Sequence, residues 1–346
     1  MKVKKNERVV YFDILNIICM IAVVAMHVNA ATHGSPLVRA WKSSFAIDCI
    51  FYFAVPVFYM LSGATLYNYR EKYDTKTFFK KRLTKIIIPL IYWSIFIYIF
   101  KVYISKELTP ATGVLNFINM VIGNKIEGTF YFMFDILGIY LTMPLMSLVL
   151  KKENNKDLWL IVLLFFIFNG LLPNILPLFK LYLYNSLQVQ MGGYIVFVIL
   201  GYLLSTTDIS KKHRIMIYIG AIIGLIYRYV TTYIWSMEQG VVVRTTWGYT
   251  SWHSILLACS VFLIVKELSK KINISNKTEK ILKEVSSCSF GIYLTHIMVI
   301  TCQSRLLHIN HLSWEWRTFG IISTYLISLL VVWILKKIPM FKKVVP

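Results

Sequence analysis

Long apolar stretches dominate the chain, and short polar or charged connections separate them. A helix needs about 20 predominantly apolar residues to cross a bilayer, and ten stretches come close to that length. They lie at 9–30, 45–67, 86–104, 130–150, 158–178, 188–205, 215–235, 250–266, 289–305 and 318–335. This pattern predicts an all-α, polytopic membrane protein with about ten transmembrane helices.

The composition favours the same class. The 346 residues are 57% hydrophobic and 15% charged, and the mean hydropathy is +0.63. Soluble domains are usually about 25% charged. No stretch is typical of a separate soluble domain, so we expect a single transmembrane domain over residues 1–346. The five cysteines lie in or beside apolar stretches without a Cys-x-x-Cys pair, so we expect no metal.

Basic residues are distributed unevenly among the connections. The chain has 37 Lys and Arg against 16 Asp and Glu, a net charge of +21. Such an excess can serve nucleic-acid binding, but here it fills both tails and every second connection, at 70–85, 151–156, 211–214 and 266–283. Cytoplasmic connections of membrane proteins carry this bias. We therefore predict that both termini are cytoplasmic, that membrane lipid is a partner and that nucleic acid is not.

Two connections are long enough to form a helix of their own. The connection 105–129 has an apolar run between glycines, which predicts an interfacial or re-entrant helix. The charged connection 267–288 is expected to form a short amphipathic helix on the cytoplasmic side.

The first apolar stretch contains three polar side chains, Asp13, Asn16 and His27. Asn16 and His27 are eleven residues apart, about three helical turns, and therefore share one face; Asp13 lies about 40° away from that direction. Polar groups within a spanning helix usually face the protein interior or a wet cavity. The pattern predicts one wall of an internal channel, and the alternative is a helix whose polar residues lie at its two ends.

Further polar residues lie in later stretches. Asp48 is expected at the depth of His27, where it either pairs with that histidine or is solvated at the interface. Pro56 should kink the second stretch, and Ser62 before a glycine permits a close approach by a ligand or a neighbouring helix. Asp135 and His296 lie deep enough in their stretches to be functional candidates.

The most basic segment, Lys80–Lys85, precedes the third stretch. Arg82 and Lys85 are three residues apart and therefore neighbours on one helical face. Such a pair can bind phosphate groups. The alternative is that these cations only set topology and contact anionic lipid.

Five short motifs, in order, resemble those of the integral-membrane acyltransferase family 3. The family's Asp-x-x-Arg followed by His reads Asp13–Asn16 and then His27 here. Its Val-Pro-Leu-Phe-Phe-x-x-Ser-Gly motif is matched by Val55–Gly63, and its basic Arg-x-x-Arg motif by Arg82–Lys85. The last two motifs are Tyr-Leu-x-x-Pro and Gly-Ile-Tyr-x-x-His, which are matched by 140–144 and 291–296.

The resemblance covers nearly the whole chain and is closest to surface-polysaccharide O-acetyltransferases without an extracellular hydrolase-like domain. Two positions depart from the family pattern. Asn16 replaces the family's basic residue, and Thr129–Phe132 replaces a His-Leu-Trp-Phe segment. The lost charge at Asn16 bears on contact with the donor and on the choice of substrate.

This resemblance implies transfer of an acetyl (acyl) group from cytoplasmic acyl-CoA to a hydroxyl of an extracytoplasmic glycan. The donor, most simply acetyl-CoA, would place its phosphates against Arg82 and Lys85, with Lys81 nearby, and extend its arm past Asn16. His27 would then act as a general base or carry the acyl group covalently. The oxyanion would receive a hydrogen bond from Ser62, Tyr293 or His296.

The sequence is also compatible with two other classes of function. A polytopic transporter or exporter without chemistry also needs buried polar residues, and an inactive relative could serve as a sensor or scaffold. The resemblance further implies a multi-pass protein of the bacterial plasma (cell) membrane. The acceptor, the acyl chain length and the oligomeric state, a homo-oligomer included, are not determined by the sequence.

Overall fold

The computed structural model describes residues 9–346, and every regular element in that range is helical. The α-helices are α1 (Val10–Val28), α2 (Arg39–Phe51), α3 (Ala54–Leu66), α4 (Thr75–Ile99), α5 (Val114–Ile122), α6 (Tyr131–Val149), α7 (Asn155–Phe165), α8 (Leu172–Ile175), α9 (Ile195–Thr206), α10 (Lys211–Gln239), α11 (Trp252–Lys271), α12 (Asn276–Leu306) and α13 (Trp314–Lys337). The N-terminal cations Lys2, Lys4, Lys5 and Arg8, which contributed to the topology prediction, lie outside the described residues.

Nine helical stretches of the described chain are long and apolar enough to cross a membrane. They coincide with nine of the ten predicted stretches, so the prediction of an all-α, multi-pass membrane protein is confirmed. The exception is 188–205, where only the 12-residue helix α9 forms. That helix is about 18 Å long, well short of the roughly 30 Å hydrocarbon core. Gly193, which has a φ of +53°, lies in the irregular segment before it.

The second predicted stretch is broken into α2 and α3 at Tyr52-Phe53. Pro56 lies in the first turn of α3 and lacks an N–H, and its ring would clash with the carbonyl group of residue 52 in a continuous helix. The backbone of Tyr52 and Phe53 stays in the right-handed helical region and Arg39–Glu71 remains one span, so Pro56 interrupts the helix only locally, as expected of a kink. The interruption leaves Tyr52 at the inner surface of the bundle, where its hydroxyl group donates a hydrogen bond to the Trp247 carbonyl oxygen.

The two longer connections differ in how they fold. The connection 105–129 contains α5, in which no residue is buried, so this helix lies on the surface of the bundle and does not re-enter it. The connection 267–288 does not form a separate amphipathic helix. Its residues instead extend α11 to Lys271 and begin the 31-residue helix α12 at Asn276. A capping hydrogen bond from the Thr278 N–H to the Ser275 hydroxyl oxygen starts α12 early.

Helix α1 lies inside the bundle, where it packs against α2, α3, α11, α12 and α13. Its buried residues include Leu15, Cys19 and Val24, each fully excluded from solvent. Because neighbours surround most of α1, its polar face has only the interior of the protein to face. This arrangement places Asn16 and His27 at internal cavities.

Helices α3 and α9 approach each other closely at two glycines. A Cβ atom added at Gly63 would lie 1.9 Å from the Val198 carbonyl oxygen, and one at Gly201 would lie 1.8 Å from the Met60 carbonyl oxygen. Real Cβ atoms do not come this near to backbone atoms, so the two backbones would have to separate. Small residues at such contacts are a common means of packing helices in membranes.

We expect Gly63→Ala and Gly201→Ala each to lower stability, because overpacking typically costs about 1–3 kcal/mol and here the obstacle is backbone. The measurement is thermal unfolding and yield of the purified protein. Gly138→Ala in α6 is the matched control, since a Cβ atom there meets nothing within 4 Å. Unfolding temperatures equal to wild type for both α3–α9 variants would contradict the close approach.

Candidate active site

A cavity of about 380 Å³ lies between α1, α3, α6 and α12, and we call it the histidine cavity because His27 lines it. Asn16 lines it too, so the prediction that these two residues share an inward face agrees with their positions. Asp13 is buried, 4% exposed, and is not among the residues that line this cavity. Helix α1 therefore presents two of its three polar residues to the space and keeps the third within the packing.

His27 and His296 form a ring pair at one wall of the histidine cavity. Their ring centroids are 5.0 Å apart and the planes are inclined by 52°. His27 is partly exposed to the cavity, whereas His296 is 0% exposed and lies behind it. A molecule in the cavity can therefore reach His27 directly but not His296.

The hydrogen bonding of His296 fixes its tautomer. Its Nδ1 atom is 2.7 Å from the Tyr293 carbonyl oxygen. A carbonyl group can only accept, so Nδ1 carries the hydrogen and the neutral ring leaves Nε2 as an acceptor. Nε2 is buried and has no hydrogen-bond partner among residues 9–346. The Nε2 atom of His296 can therefore accept a hydrogen bond. A neutral His296 cannot donate one from Nε2 to the oxyanion, as the resemblance had implied.

A network anchored on Glu127 supports the same wall. Glu127 is 5% exposed and lies close enough to His27 to interact electrostatically. Its carboxylate lies 2.8 Å from the Lys101 Nζ atom and accepts hydrogen bonds from the Thr129 N–H and hydroxyl groups. The Tyr293 hydroxyl group donates to the Thr129 carbonyl oxygen at 2.5 Å. Tyr293 thus already has an acceptor for its hydrogen and is occupied in holding the wall together.

A buried ion pair borders the far end of the histidine cavity, and its acidic member, Asp48, lines the cavity. Arg228, 1% exposed, donates to Asp48 at 2.7 Å and stacks 3.5 Å from the Tyr52 ring centroid. Asp48 is 4% exposed, so it is not a solvated interfacial residue, and its ion-pair partner is Arg228 rather than His27. Trp247 also lies near this cation and lines the cavity.

Several hydroxyl groups that line the cavity have acceptors within the protein, whereas the Ser289 hydroxyl group has no partner among residues 9–346 and a tyrosine pair has a hydrogen to spare. The Tyr131 and Tyr249 hydroxyl oxygens are 3.1 Å apart. Two hydroxyl groups carry two hydrogens, and one hydrogen satisfies their mutual bond. The second hydrogen can be donated to a bound molecule. The same end of the cavity therefore offers aromatic surface and a hydrogen-bond donor.

A second cavity, of about 360 Å³, lies on the side of the bundle that carries the N-terminal half of α4. We call it the basic cavity because Arg82 and Lys85 line it, as the prediction of a paired phosphate site requires. The Arg82 Nε atom is buried without a hydrogen-bond partner in the described part of the chain. An unpaired buried N–H of a cation favours an anionic ligand.

Two other predicted residues lie near the basic cavity in unexpected positions. Lys81 does not line it; its Nζ atom lies 4.4 Å from the centroid of the Tyr73 ring. Ser62 lines the basic cavity rather than the histidine cavity, and its hydroxyl group donates to the Phe58 carbonyl oxygen at 3.4 Å. Ser62 thus faces the basic cavity, whereas His27 faces the histidine cavity.

The two cavities meet at four residues that line both of them: Asn16, Phe58, Phe132 and Phe290. We call this set the aromatic collar. The Asn16 amide group donates to the Ser286 hydroxyl oxygen at 3.4 Å, so α1 and α12 are joined here. The structure therefore brings the basic pair and His27 to opposite ends of one internal path.

Several residues at this path were missed by reasoning from the sequence. Ser286 and Ser289 line the histidine cavity, and Glu127, Tyr131, Trp247 and Tyr249 surround it. Ser286 and Ser289 lie in a Ser-Ser-Cys-Ser run that ends two residues before the first glycine of the Gly-Ile-Tyr-x-x-His motif, and that run was the available signal. Trp247 and Tyr249 lie in a connection, and nothing in the local pattern distinguished them.

The fold and these cavities define a multi-pass membrane protein with an internal path. A family model described as an acyltransferase domain, that of acyltransferase family 3, matches residues 9–333. The chain therefore belongs to this family of membrane acyltransferases, which confirms the resemblance drawn from the motifs. Searches of curated proteins and of solved structures found no match.

Proposed function

We propose that this protein transfers an acyl group, most simply acetyl, from acyl-CoA to a hydroxyl group of an extracytoplasmic carbohydrate. The observation that carries the proposal is the pair of cavities joined at the aromatic collar, with Arg82 and Lys85 at one end and His27 at the other. A donor with an anionic head and a long neutral arm matches that order of groups. Family membership supports acyl transfer in general.

The basic cavity is the proposed site for the phosphates of the donor. Arg82 and Lys85 supply two cations, and the unpaired Arg82 Nε–H suits a phosphate oxygen. The arm would then extend along α1 past Asn16, whose amide group can bond to the amides of the arm. Its thioester would reach the histidine cavity beside His27.

The proposed reaction has one proton to move. His27 accepts the proton of the acceptor hydroxyl group as that oxygen attacks the thioester carbonyl carbon. The carbon–sulfur bond then breaks, and the sulfur leaves as a thiolate that receives the proton from His27. The products are the ester and CoA with a free thiol, so His27 returns to its starting state. Histidine suits both transfers because its ordinary pKa lies near neutral pH.

The acceptor would bind at the far end of the histidine cavity. Trp247 and Tyr249 offer aromatic surface for the apolar face of a sugar ring. The spare hydrogen of the Tyr131–Tyr249 pair can be donated to a sugar oxygen. Together these groups favour an uncharged, hydroxyl-bearing ring over an apolar acceptor.

We propose that the His296 Nε2 atom, which has no hydrogen-bond partner among residues 9–346, positions His27 by accepting a hydrogen bond from its ring N–H once that ring has taken up the proton. We expect His296→Leu to lower kcat by at least tenfold with little change in the KM for the donor, because the lost contact acts on the base and not on binding. His296→Gln, whose amide oxygen can accept, should recover part of the loss. Equal kcat values for wild type and His296→Leu would exclude this role.

The direction of the path is a further expectation. Basic connections predict that the basic cavity opens to the cytoplasm. A cysteine introduced at Ser35 should react with an impermeant thiol reagent on intact cells, whereas one at Lys76 should not; both positions are exposed. A Cys302→Ser background removes the one native thiol that is partly exposed. The reverse labelling pattern would overturn the assignment of donor and acceptor sides.

Two measurements test the proposed function together. Surface glycans from cells with and without the protein are compared by mass spectrometry, and an acyl ester should be present only with the protein. Purified protein in lipid nanodiscs should bind CoA and, when supplied with the isolated glycan, release CoA from acetyl-CoA. Identical glycans in both strains, together with a protein that binds no CoA, would contradict acyl transfer.

A further inference from the structure

The aromatic collar is built from four different helices that surround the internal path. Asn16 comes from α1, Phe58 from α3, Phe132 from α6 and Phe290 from α12. Each is only partly buried, because each faces open space in both the histidine cavity and the basic cavity. Three of the four side chains are rigid aromatic rings. Where the two cavities meet, the path therefore has an apolar rim with a single amide group.

Neighbouring rings hold the collar in place. Phe132 lies 5.6 Å from Phe58, is stacked 5.5 Å from Tyr59 and meets Tyr293 edge-on at 5.5 Å. Phe290 is stacked 6.0 Å from the same Tyr293 ring.

Both supporting rings are themselves anchored. The Tyr59 hydroxyl group donates to Asp135 at 2.7 Å, and that of Tyr293 donates to the Thr129 carbonyl oxygen. Widening the collar would disturb several of these contacts at once, so the packing of the fold opposes it.

The position of the collar determines what must pass through it. If the phosphates of the donor rest on Arg82 and Lys85, the acyl group leads the arm and crosses the collar before the thioester reaches His27. This inference rests on the proposed function. The end of the arm next to the thioester is an unbranched chain. An opening that admits this chain also admits a linear acyl group of the same width. A branched or ring-bearing acyl group is wider than this unbranched end of the arm.

We propose that the aromatic collar selects the acyl group of the donor by width, so that short unbranched acyl groups reach His27 and branched or aromatic ones do not. The histidine cavity, about 380 Å³, must also hold the acceptor, which limits the length of the acyl group. Phe58, Phe132 and Phe290 are thus specificity-determining residues, and they contact the donor without taking part in the proton transfer.

Equilibrium binding to the full-length protein in nanodiscs tests the proposal with four probes: CoA, acetyl-CoA, butyryl-CoA and isovaleryl-CoA. In wild type, acetyl-CoA and butyryl-CoA should bind within threefold of each other, and isovaleryl-CoA at least tenfold more weakly. Phe290→Ala should reduce this difference in affinity between acetyl-CoA and isovaleryl-CoA, the penalty for branching, to less than threefold, because it opens one side of the collar. Phe132→Ala provides a second opening if the first variant folds poorly.

Phe319→Ala is the matched control, since it makes the same change at an exposed position of α13 away from both cavities. It should keep the wild-type penalty. Equal binding of acetyl-CoA and isovaleryl-CoA to wild type, or a penalty that persists in both collar variants, would overturn the proposal. Binding of CoA itself distinguishes failure of the proposed function from failure of the collar proposal. A protein that binds no CoA refutes the proposed function, whereas one that binds all four probes alike refutes only selection by the collar.

Discussion

His27→Ala is expected to lower acyl transfer by about 10²–10⁴-fold, the range typical for loss of a positioned general base. His27 is the ionisable side chain of α1 that faces the histidine cavity, and His296 behind it is closed off from that cavity. A water molecule that replaces the imidazole has neither its basicity nor its fixed position. The measurement is the rate of ester formation on the isolated glycan with acetyl-CoA as donor.

Binding of the donor to the His27→Ala variant shows whether a loss of activity comes from lost catalysis or from lost folding. The basic cavity lies on the other side of the aromatic collar, so CoA should bind His27→Ala with wild-type affinity. His213→Ala is the control, because His213 is an exposed residue at the start of α10. Added imidazole should restore part of the activity of His27→Ala, since the cavity has room for it. Substantial transfer by a folded His27→Ala protein that binds CoA normally would refute the general-base assignment.

Hydropathy and helical spacing were sufficient to predict the helices and one wall of the path. The nine long spans within residues 9–346 follow from hydropathy, and the shared face of Asn16 and His27 follows from helical periodicity. The same reasoning placed Asp13 on that face, but neighbouring helices enclose α1 on nearly all sides and Asp13 is buried away from the histidine cavity. Amphipathicity indicates which face is polar, and it does not indicate which polar residue lies at a gap between helices.

Partners that are far apart in the sequence could not be predicted. Asp48 pairs with Arg228, 180 residues later, and Asn16 with Ser286, 270 residues later. Such pairings depend on which helices are neighbours, and hydrophobic patterns do not specify helix adjacency. The short helix α9 shows the same limit, because an apolar run that is buried by its neighbours resembles one that is exposed to lipid.

The Arg82→Ala/Lys85→Ala double variant is expected to weaken CoA binding by more than tenfold. Each charge-assisted contact to a phosphate is worth roughly 1.5–3 kcal/mol if the group is desolvated, and about 1.4 kcal/mol corresponds to one decade in affinity. Both side chains line the basic cavity, and the unpaired Arg82 Nε–H is a donor that a phosphate oxygen would satisfy. Isothermal titration of the nanodisc-embedded protein with CoA measures the change directly.

The control must remove the same charge from the same helix. Lys76→Ala/Lys80→Ala does so at two exposed positions of α4 that do not line the basic cavity. If the cations of α4 act only through topology and anionic lipid, the two double variants should behave alike. If Arg82 and Lys85 bind phosphate, only their variant loses affinity, and the loss should be smaller for pantetheine, which lacks the phosphates. A correctly inserted Arg82→Ala/Lys85→Ala protein with unchanged CoA affinity would mean that the donor phosphates bind elsewhere, and the direction of the path would have to be reassigned.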